Sequence, residues 1–183
     1  MHSEINDNLL IEMFKSSDSK NFAFNQIVLK YQERVYWHIR KMVINHDDAD
    51  DLIQESFIKV WNSLDKFRSE SSLYTWIYRI ATNEVLAFLK KQKSCNHISL
   101  QDMENNLRET LKQDIYFNGD DAQIKLNQAL ASLPPKQRLV FNMKYFDDMK
   151  YEEIAEILNT SVGALKASYH IATEKIKKYI NNI

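Results

Sequence analysis

Residues 73–83, LYTWIYRIATN, interleave large aromatic rings with hydroxyl, guanidinium and carboxamide groups. Drawn as a helix at about 100° per residue, the stretch divides into two sides. The apolar side, which is predicted to be core, consists of Leu73, Trp76, Ile77, Ile80, Ala81 and Phe88. The polar side, which is predicted to be exposed, consists of Thr75, Tyr78, Arg79, Thr82 and Asn83.

The polar side carries groups suited to holding an unpaired base. An aromatic ring stacks on a base for ~1–3 kcal/mol, which is comparable with the cost of unstacking that base from a duplex. Lys90, Lys91 and Lys93 follow and could bind phosphate. The helix is therefore predicted to present Tyr78 and Asn83 to single-stranded nucleic acid. The plainer alternative places the aromatic residues in the core or at an ordinary surface.

A second binding surface is predicted near the C-terminus. Residues 151–158 and the stretch from Val162 onward show apolar stripes at helical spacing, joined by the short turn NTS. Helices joined so tightly are typical of a helix-turn-helix. The face of the second helix opposite its stripe carries Ala164, Ala167, Ser168, Ile171 and Lys175, flanked by Lys166 and His170. Small side chains would let this face enter a DNA major groove; an ordinary helical hairpin is the alternative.

Composition bounds the fold class. The chain is 44% hydrophobic and 27% charged, which is typical of a globular protein. Only two glycines and two prolines occur in 183 residues, so an all-α fold is predicted. No apolar run approaches the ~18–20 residues of a membrane span, and the polar start MHSEINDN is unlike a signal peptide. The single Cys95 fits a reducing compartment, so the expected location is cytoplasmic.

The net charge is only −1, but acidic and basic residues are concentrated in different parts of the chain. Residues 46–55, HDDADDLIQE, carry five acidic residues and neither Lys nor Arg. Residues 79–93 carry four positive charges against one negative charge, and residues 166–183 do the same. One acidic and two basic surfaces are predicted.

Two small helical domains joined by a flexible linker are predicted. The first domain spans residues 1–93, with apolar stripes that predict helices over about 22–42, 47–64 and 73–91. Residues 94–121 are polar, acidic and weakly periodic, as expected of a linker. The second domain spans residues 122–183, where Pro134 and Pro135 end one helix and start the next.

Two segments resemble parts of bacterial sigma factors. Residues 48–93 resemble region two; their sequence is DADDLIQESFIKVWNSLDKFRSESSLYTWIYRIATNEVLAFLKKQK. Residues 126–180 resemble region four and contain LPPKQRLVFNMKYF and YEEIAEILNTSVGALKASYH. The short length and direct linker resemble the extracytoplasmic-function group. The resemblance implies a non-enzymatic factor that binds core RNA polymerase, recognises promoter DNA and melts it, without a cofactor or metal. An anti-sigma factor is a common partner in this group.

The resemblance also assigns roles to residues. It implies that Asp50, Asp51, Gln54 and Glu55 bind the clamp of the largest polymerase subunit, and that residues 139–146, LVFNMKYF, face the beta-subunit flap. It implies capture of a flipped minus-ten base by the loop of residues 67–72 and the helix face that follows. The residues singled out there are Phe67, Arg68, Ser72, Thr75, Tyr78, Arg79, Thr82, Asn83 and Lys90. It implies reading of the minus-thirty-five element by Ala164, Lys166, Ala167, Ser168, His170 and Ile171.

The recognition helix departs from the family pattern. Members often carry several arginines there, whereas this chain has Ser168, Ile171 and Thr173, with Lys166 at the start. Reading of guanine by bidentate Arg is therefore not expected, and an A·T-rich or shape-read element is predicted.

Other classes of protein fit less well. His46-Asp47 lacks the further His and Asp residues of a metal-dependent phosphohydrolase, and the aspartate run lacks the Gly and ligand spacing of an EF-hand. A helix-turn-helix regulator that acts without polymerase, and a helical adaptor whose Tyr78 face binds a peptide, are the alternatives among binding proteins.

Overall fold

The computed structural model describes residues 6–43, 45–95 and 121–181, and all regular structure in these ranges is helical. The N-terminal half contains α1 (Asp7–Lys15), α2 (Lys20–Arg40), α3 (His46–Ser63), a 3₁₀ turn (Leu64–Lys66) and α4 (Leu73–Cys95). The C-terminal half contains α5 (Asp121–Ala131), α6 (Pro135–Tyr145), α7 (Tyr151–Leu158) and α8 (Val162–Asn181). The all-α prediction is confirmed. Nearly all of the predicted linker lies outside the described residues.

Local side-chain chemistry sets where these helices begin. The Asn45 side chain accepts a hydrogen bond from the Asp47 backbone N–H at 3.0 Å, and two aspartates in the first turn of α3 suit the helix dipole. Ser72 Oγ accepts from the Thr75 backbone N–H at 3.0 Å at the start of α4. Pro135 occupies the first turn of α6, where the missing N–H costs nothing.

The N-terminal half packs around aromatic rings contributed by three helices. Trp61 of α3 meets Phe14 of α1 edge-on at 5.1 Å and Phe24 of α2 at 4.9 Å. The α1 helix has no counterpart among the helices predicted from the sequence. Its buried face, Leu10, Ile11 and Phe14, packs against α2 and the 3₁₀ turn.

The C-terminal half contains the predicted helix-turn-helix in α7 and α8. Residue Asn159 adopts the left-handed conformation (φ 48°) and ends α7, and Ser161 Oγ accepts from the Ala164 backbone N–H at 3.2 Å at the start of α8. Behind this motif, α5, α6 and α8 enclose a small core of Ala129, Leu130, Leu133, Phe141, Ala172 and Ile176.

The two halves are packed together in this structure. Apolar residues of α6, α7 and α8, including Leu139, Met143, Ile154 and Leu165, belong to the same buried cluster as the core of the N-terminal half. The α4 helix packs against α7. Within the described ranges, none of the helices combines the length and apolar character needed to cross a membrane.

Candidate nucleic-acid and polymerase interfaces

The α4 helix is rotated relative to the sequence prediction. Thr75, Tyr78 and Thr82, predicted to be exposed, are 3%, 1% and 1% accessible. The predicted core residues Leu73, Ile77 and Ala81 are buried, as expected, but Trp76 and Ile80 are only partly buried. The strip of α4 that reaches the surface, called here the exposed strip, consists of half-buried Trp76, Arg79 and Ile80 and exposed Asn83, followed by exposed Lys90. The division of α4 into one apolar and one polar side was therefore wrong.

Tyr78 is held in the interior by three partners. Its hydroxyl donates to the Arg34 carbonyl oxygen at 2.9 Å, and its ring centroid lies 4.3 Å from that of Tyr74 and 4.8 Å from that of His38. Burial raises the pKa of the Tyr78 hydroxyl well above its usual value. The ring cannot stack on a base in this conformation, so the predicted exposure of Tyr78 is wrong.

The two threonines of α4 are likewise committed to internal contacts. The hydroxyl of Thr82 lies 2.9 Å from Nε2 of buried His38. The hydroxyl of Thr75 lies 2.8 Å from Oγ of Ser72, the residue that caps the helix. A short polar side chain is buried without penalty when it finds such partners, which explains why the helical wheel misplaced both residues.

A cleft opens beside the exposed strip of α4. It has a volume of about 440 Å³ and is lined by Lys66, Phe67, Arg68, Glu70, Ser71, Trp76, Arg79, Ile80 and Asn83. Its loop contains Ser69 in the left-handed region (φ 57°), a conformation that carries strain in a non-glycine residue. The cleft thus combines an indole ring, two guanidinium groups and a carboxamide. These are the kinds of group that residues 73–83 were predicted to offer to an unpaired base.

The predicted minus-ten residues are only partly brought together. Phe67, Arg68, Arg79 and Asn83 line the cleft, although the Phe67 ring is buried, with its centroid 5.1 Å from that of Trp76. Ser72, which caps the start of α4, and Lys90, towards the end of α4, are exposed but do not line the cleft. Lys91 is exposed, whereas the side chain of Lys93 lies outside the described residues.

Sequence reasoning missed three residues of the cleft, Lys66, Trp76 and Ile80, because they lie outside the loop of residues 67–72 and the assigned helix face. The signal for two of them was present, because Trp76, Arg79, Ile80 and Asn83 follow the i, i+3, i+4, i+7 spacing of a single helix face. Their hydrophobicity had assigned Trp76 and Ile80 to the core.

The acidic surface on α3 has the predicted exposure. Asp51, Gln54 and Glu55 are exposed, and Ile58, on the same face one turn further on, is 59% accessible. Asp50 is half-buried, with Oδ2 3.4 Å from His46 Nε2. At the start of the helix, burial and the neighbouring aspartates raise the pKa of Asp48. The surface thus combines the exposed apolar side chain of Ile58 with the negative charges of Asp51 and Glu55 beside it.

The outer face of α8 is also placed as predicted. Ala164, Lys166, Ala167, His170 and Ile171 are exposed, and Ser168 is half-buried. Leu165, Ala172 and Ile176 face inward, whereas Ile180, assigned to the apolar stripe, is 39% accessible. The face offers methyl groups and one hydroxyl, with a cation at its start.

Most of the segment expected to face the flap is core. Residues 139–143 are buried, and Lys144 is half-buried. Only Tyr145 and Phe146 offer large exposed surfaces, with their rings edge to face at 5.0 Å. A partner binding here would meet the C-terminal end of α6 rather than its length.

The described residues thus form a helical protein with a cationic aromatic cleft in one half and a helix-turn-helix, a motif typical of DNA-binding proteins, in the other. The family description "Sigma-70 region 2" matches residues 27–95, and "Sigma-70, region 4" matches residues 123–176. The chain belongs to the sigma-70 family, in its extracytoplasmic-function (ECF) group.

Individual relatives support the assignment. The chain is 31% identical over 184 residues to the ECF RNA polymerase sigma-E factor of Salmonella typhimurium, covering 96% of this chain and 95% of the relative. Its fold is similar to that of CnrH in complex with the cytosolic domain of CnrY, with a TM-score of 0.70 at 21% identity, covering 96% of this chain and 97% of that chain. It is also similar to the sigma factor RpoE in complex with the anti-sigma factor NepR from Bartonella quintana, with a TM-score of 0.65 at 20% identity, covering 86% and 96%.

Proposed function

We propose that this chain is a sigma factor: it binds core RNA polymerase, directs it to promoters and helps to melt the DNA. The observation that carries the proposal is the presence of both DNA-facing surfaces on one sigma-70 family chain, the cleft beside α4 and the outer face of α8. The role is non-enzymatic, since polymerase supplies the chemistry, and its place is the cytoplasm, where polymerase acts.

The cleft is the proposed site for an unpaired minus-ten base. The partly exposed Trp76 ring provides a stacking surface, and Asn83 and Arg79 can hydrogen-bond a base edge or phosphate. Arg68, Lys66 and Lys90 add positive charge along the strand. This assignment replaces Tyr78 by Trp76 as the aromatic platform.

The remaining surfaces are assigned to polymerase and to a regulator. The acidic face of α3, with Asp51, Gln54 and Glu55, is proposed to bind the clamp, and Tyr145 with Phe146 to bind the flap. An anti-sigma factor is proposed as a further partner, because RpoE of Bartonella quintana forms such a complex. We also propose that residues 1–93 form the region-two domain, residues 94–121 the linker and residues 122–183 the region-four domain.

Reconstituted transcription tests the function. The purified chain is mixed with core polymerase and fragmented genomic DNA, and the 5′ ends of the transcripts are sequenced. We expect initiation at a discrete set of sites that core enzyme alone does not use. Sequence-specific DNA binding without such transcripts would instead favour a polymerase-independent helix-turn-helix regulator.

A further inference from the structure

A series of polar side chains connects the interior of α2 with the start of α3. Arg40, which is 1% accessible, donates from Nη1 to the Val43 carbonyl oxygen at 2.9 Å and is also hydrogen-bonded to the Tyr36 side chain. The Tyr36 hydroxyl lies 2.8 Å from Nδ1 of His46. Nε2 of His46 lies 3.4 Å from Oδ2 of Asp50, one turn further along α3. Both ring nitrogens of His46 are therefore engaged.

These contacts hold the His46 ring in one place. The ring meets that of Tyr36 edge-on, with centroids 6.1 Å apart, and the Tyr36 ring meets that of Trp37 edge-on at 5.4 Å. An ionised carboxylate can only accept hydrogen bonds, so Nε2 is the nitrogen expected to carry the proton towards Asp50. Nδ1 then accepts from the Tyr36 hydroxyl. The imidazole thus joins Tyr36 of α2 to the Asp50 carboxylate of α3.

Charged groups lie near His46 on both helices. On α3 these are its chain neighbour Asp47 and Asp50, and on α2 the buried Arg40 lies behind Tyr36. Burial lowers the pKa of the Arg40 guanidinium, whereas Tyr36 and the negative charge of Asp50 oppose that shift. Because His46 lies in contact with Asp50, any charge that the imidazole gains acts directly on this carboxylate.

Asp50 lies at the edge of the acidic face of α3. It precedes Gln54 by four residues, so the two side chains are neighbours on the helix surface, with Asp51 and Glu55 exposed on the same face. The side chains of His46 and Asp50 are 54% and 46% exposed, so a partner that covers this face meets both. Histidine side chains gain a positive charge as pH falls through the physiological range. A positive charge on His46 would offset the negative charge that Asp50 adds to the face.

We propose that His46 is a positioning residue of the polymerase-binding surface: it holds the Asp50 carboxylate beside Gln54 when neutral and offsets the charge of that carboxylate when protonated. The inference rests on the proposed function for its consequence, whereas the contacts of His46 with Tyr36 and Asp50 are properties of the free chain. The sign of the effect follows from the charges. Affinity for core polymerase falls as pH falls, because an acidic surface that gains a cation attracts a basic partner less strongly.

Affinity for core polymerase at about pH 8 and about pH 5.5 tests the effect of charge. His46→Gln is neutral at both pH values and can still donate to Asp50. It should match the parent at the higher pH and bind about threefold or more tightly than the parent at the lower pH. His46→Lys, which is always charged, should bind weakly at both. Asn8→His adds an imidazole at an exposed position on α1 and should behave as the parent does. The same pH dependence in the parent and His46→Gln would overturn the proposal.

NMR of the free, full-length chain tests the positioning role without polymerase. Three-bond couplings to the Asp50 β protons report whether its side chain is held in one rotamer. At about pH 8 we expect one dominant rotamer in the parent, averaging among rotamers in His46→Ala, and recovery of the single rotamer in His46→Gln. Equal averaging in all three chains would overturn the positioning role. Failure of every chain to bind core polymerase at either pH would refute the sigma function, and the NMR comparison would still decide whether His46 positions Asp50.

Discussion

At the scale of single residues, Tyr78 and Asn83 are five positions apart on one helix and differ completely in environment. The Tyr78 hydroxyl is satisfied by a backbone carbonyl inside the protein, whereas Asn83 is exposed at the cleft. Hydroxyl-bearing aromatic residues are found in both settings, because the ring gains from burial and the hydroxyl needs only one partner. Residue type alone therefore could not decide which of the two contacts DNA.

Paired substitutions separate these two roles. Tyr78→Phe should lower the free energy of unfolding by about 0.5–1.5 kcal/mol, because the hydrogen bond from the Tyr78 hydroxyl to the Arg34 carbonyl oxygen is lost. Asn83→Ala should change stability by less than about 0.5 kcal/mol, as expected of an exposed side chain. It should reduce promoter opening by the holoenzyme roughly three- to tenfold, the worth of about one hydrogen bond. Urea unfolding and permanganate reactivity of promoter thymines measure the two effects.

The reverse pattern would contradict the assignment. If Tyr78→Phe abolished promoter opening at unchanged stability, the tyrosine would contact DNA in an opened form of the protein. If Asn83→Ala unfolded the chain while Lys91→Ala did not, Asn83 would be a structural residue; Lys91 is an exposed α4 position outside the cleft lining and serves as the control.

At the scale of elements, the helices α3, α7 and α8 were predictable because each buries a single stripe. The stripe of α3, with Ala49, Leu52, Phe57 and Val60 buried, follows helical spacing, and α7 spans the predicted residues. The α4 helix was not predictable in this way. It packs against α2, α3 and α7, so more than one of its sides is covered and the small polar residues Thr75 and Thr82 lie in the interior.

The acidic face of α3 carries a prediction about polymerase. Asp51→Lys with Glu55→Lys should weaken binding to core enzyme at least tenfold, because it replaces two negative charges by two positive ones on the proposed clamp surface. Both side chains are exposed, so helix content and melting temperature should stay unchanged. Competition for core enzyme against a labelled copy of the parent chain measures the affinity.

A charge-matched control distinguishes this surface from a general effect. Glu12→Lys with Asp18→Lys makes the same change in net charge at exposed positions around α1. Equal loss of affinity in both variants would show that net charge, and not the α3 face, governs assembly.

The α8 helix carries a prediction about DNA sequence. Lys166→Ala should weaken binding to all upstream elements alike. It should also reduce the slope of log affinity against log salt concentration by about the amount expected for one lost phosphate contact. Ile171→Ala should instead weaken binding selectively at one position, by about 1 kcal/mol where a thymine methyl is lost as a contact. Selection of upstream elements from a randomised promoter pool, with each holoenzyme at two salt concentrations, distinguishes the two effects. Equal, position-independent losses would argue against base reading by Ile171.

At the scale of the whole molecule, the sequence predicted two units but could not predict how they pack. The decisive partners, His38 and Lys41 with Asp147, lie over a hundred residues apart, and each reads locally as an ordinary polar residue. Hydrophobic spacing identifies a buried face but does not say which distant face covers it. Local periodicity in the sequence therefore could not predict that the two halves share one core.

The ion pair between Lys41 and Asp147, which joins the two halves, makes the stability of the protein depend on pH. Because the pKa of Asp147 is lowered in the folded protein, its stabilisation is present above the unfolded value of about 3.9 and is lost as pH falls through the folded value. Asp147→Asn should thus cost about 1.5–3 kcal/mol of unfolding free energy at pH 7, the worth of a hydrogen bond to a charged group. The difference from the parent should shrink towards pH 3. Urea titrations of parent, Asp147→Asn and Asp148→Asn across this range measure it, and a difference that is independent of pH would mean that the Asp147 charge does not hold the two halves together.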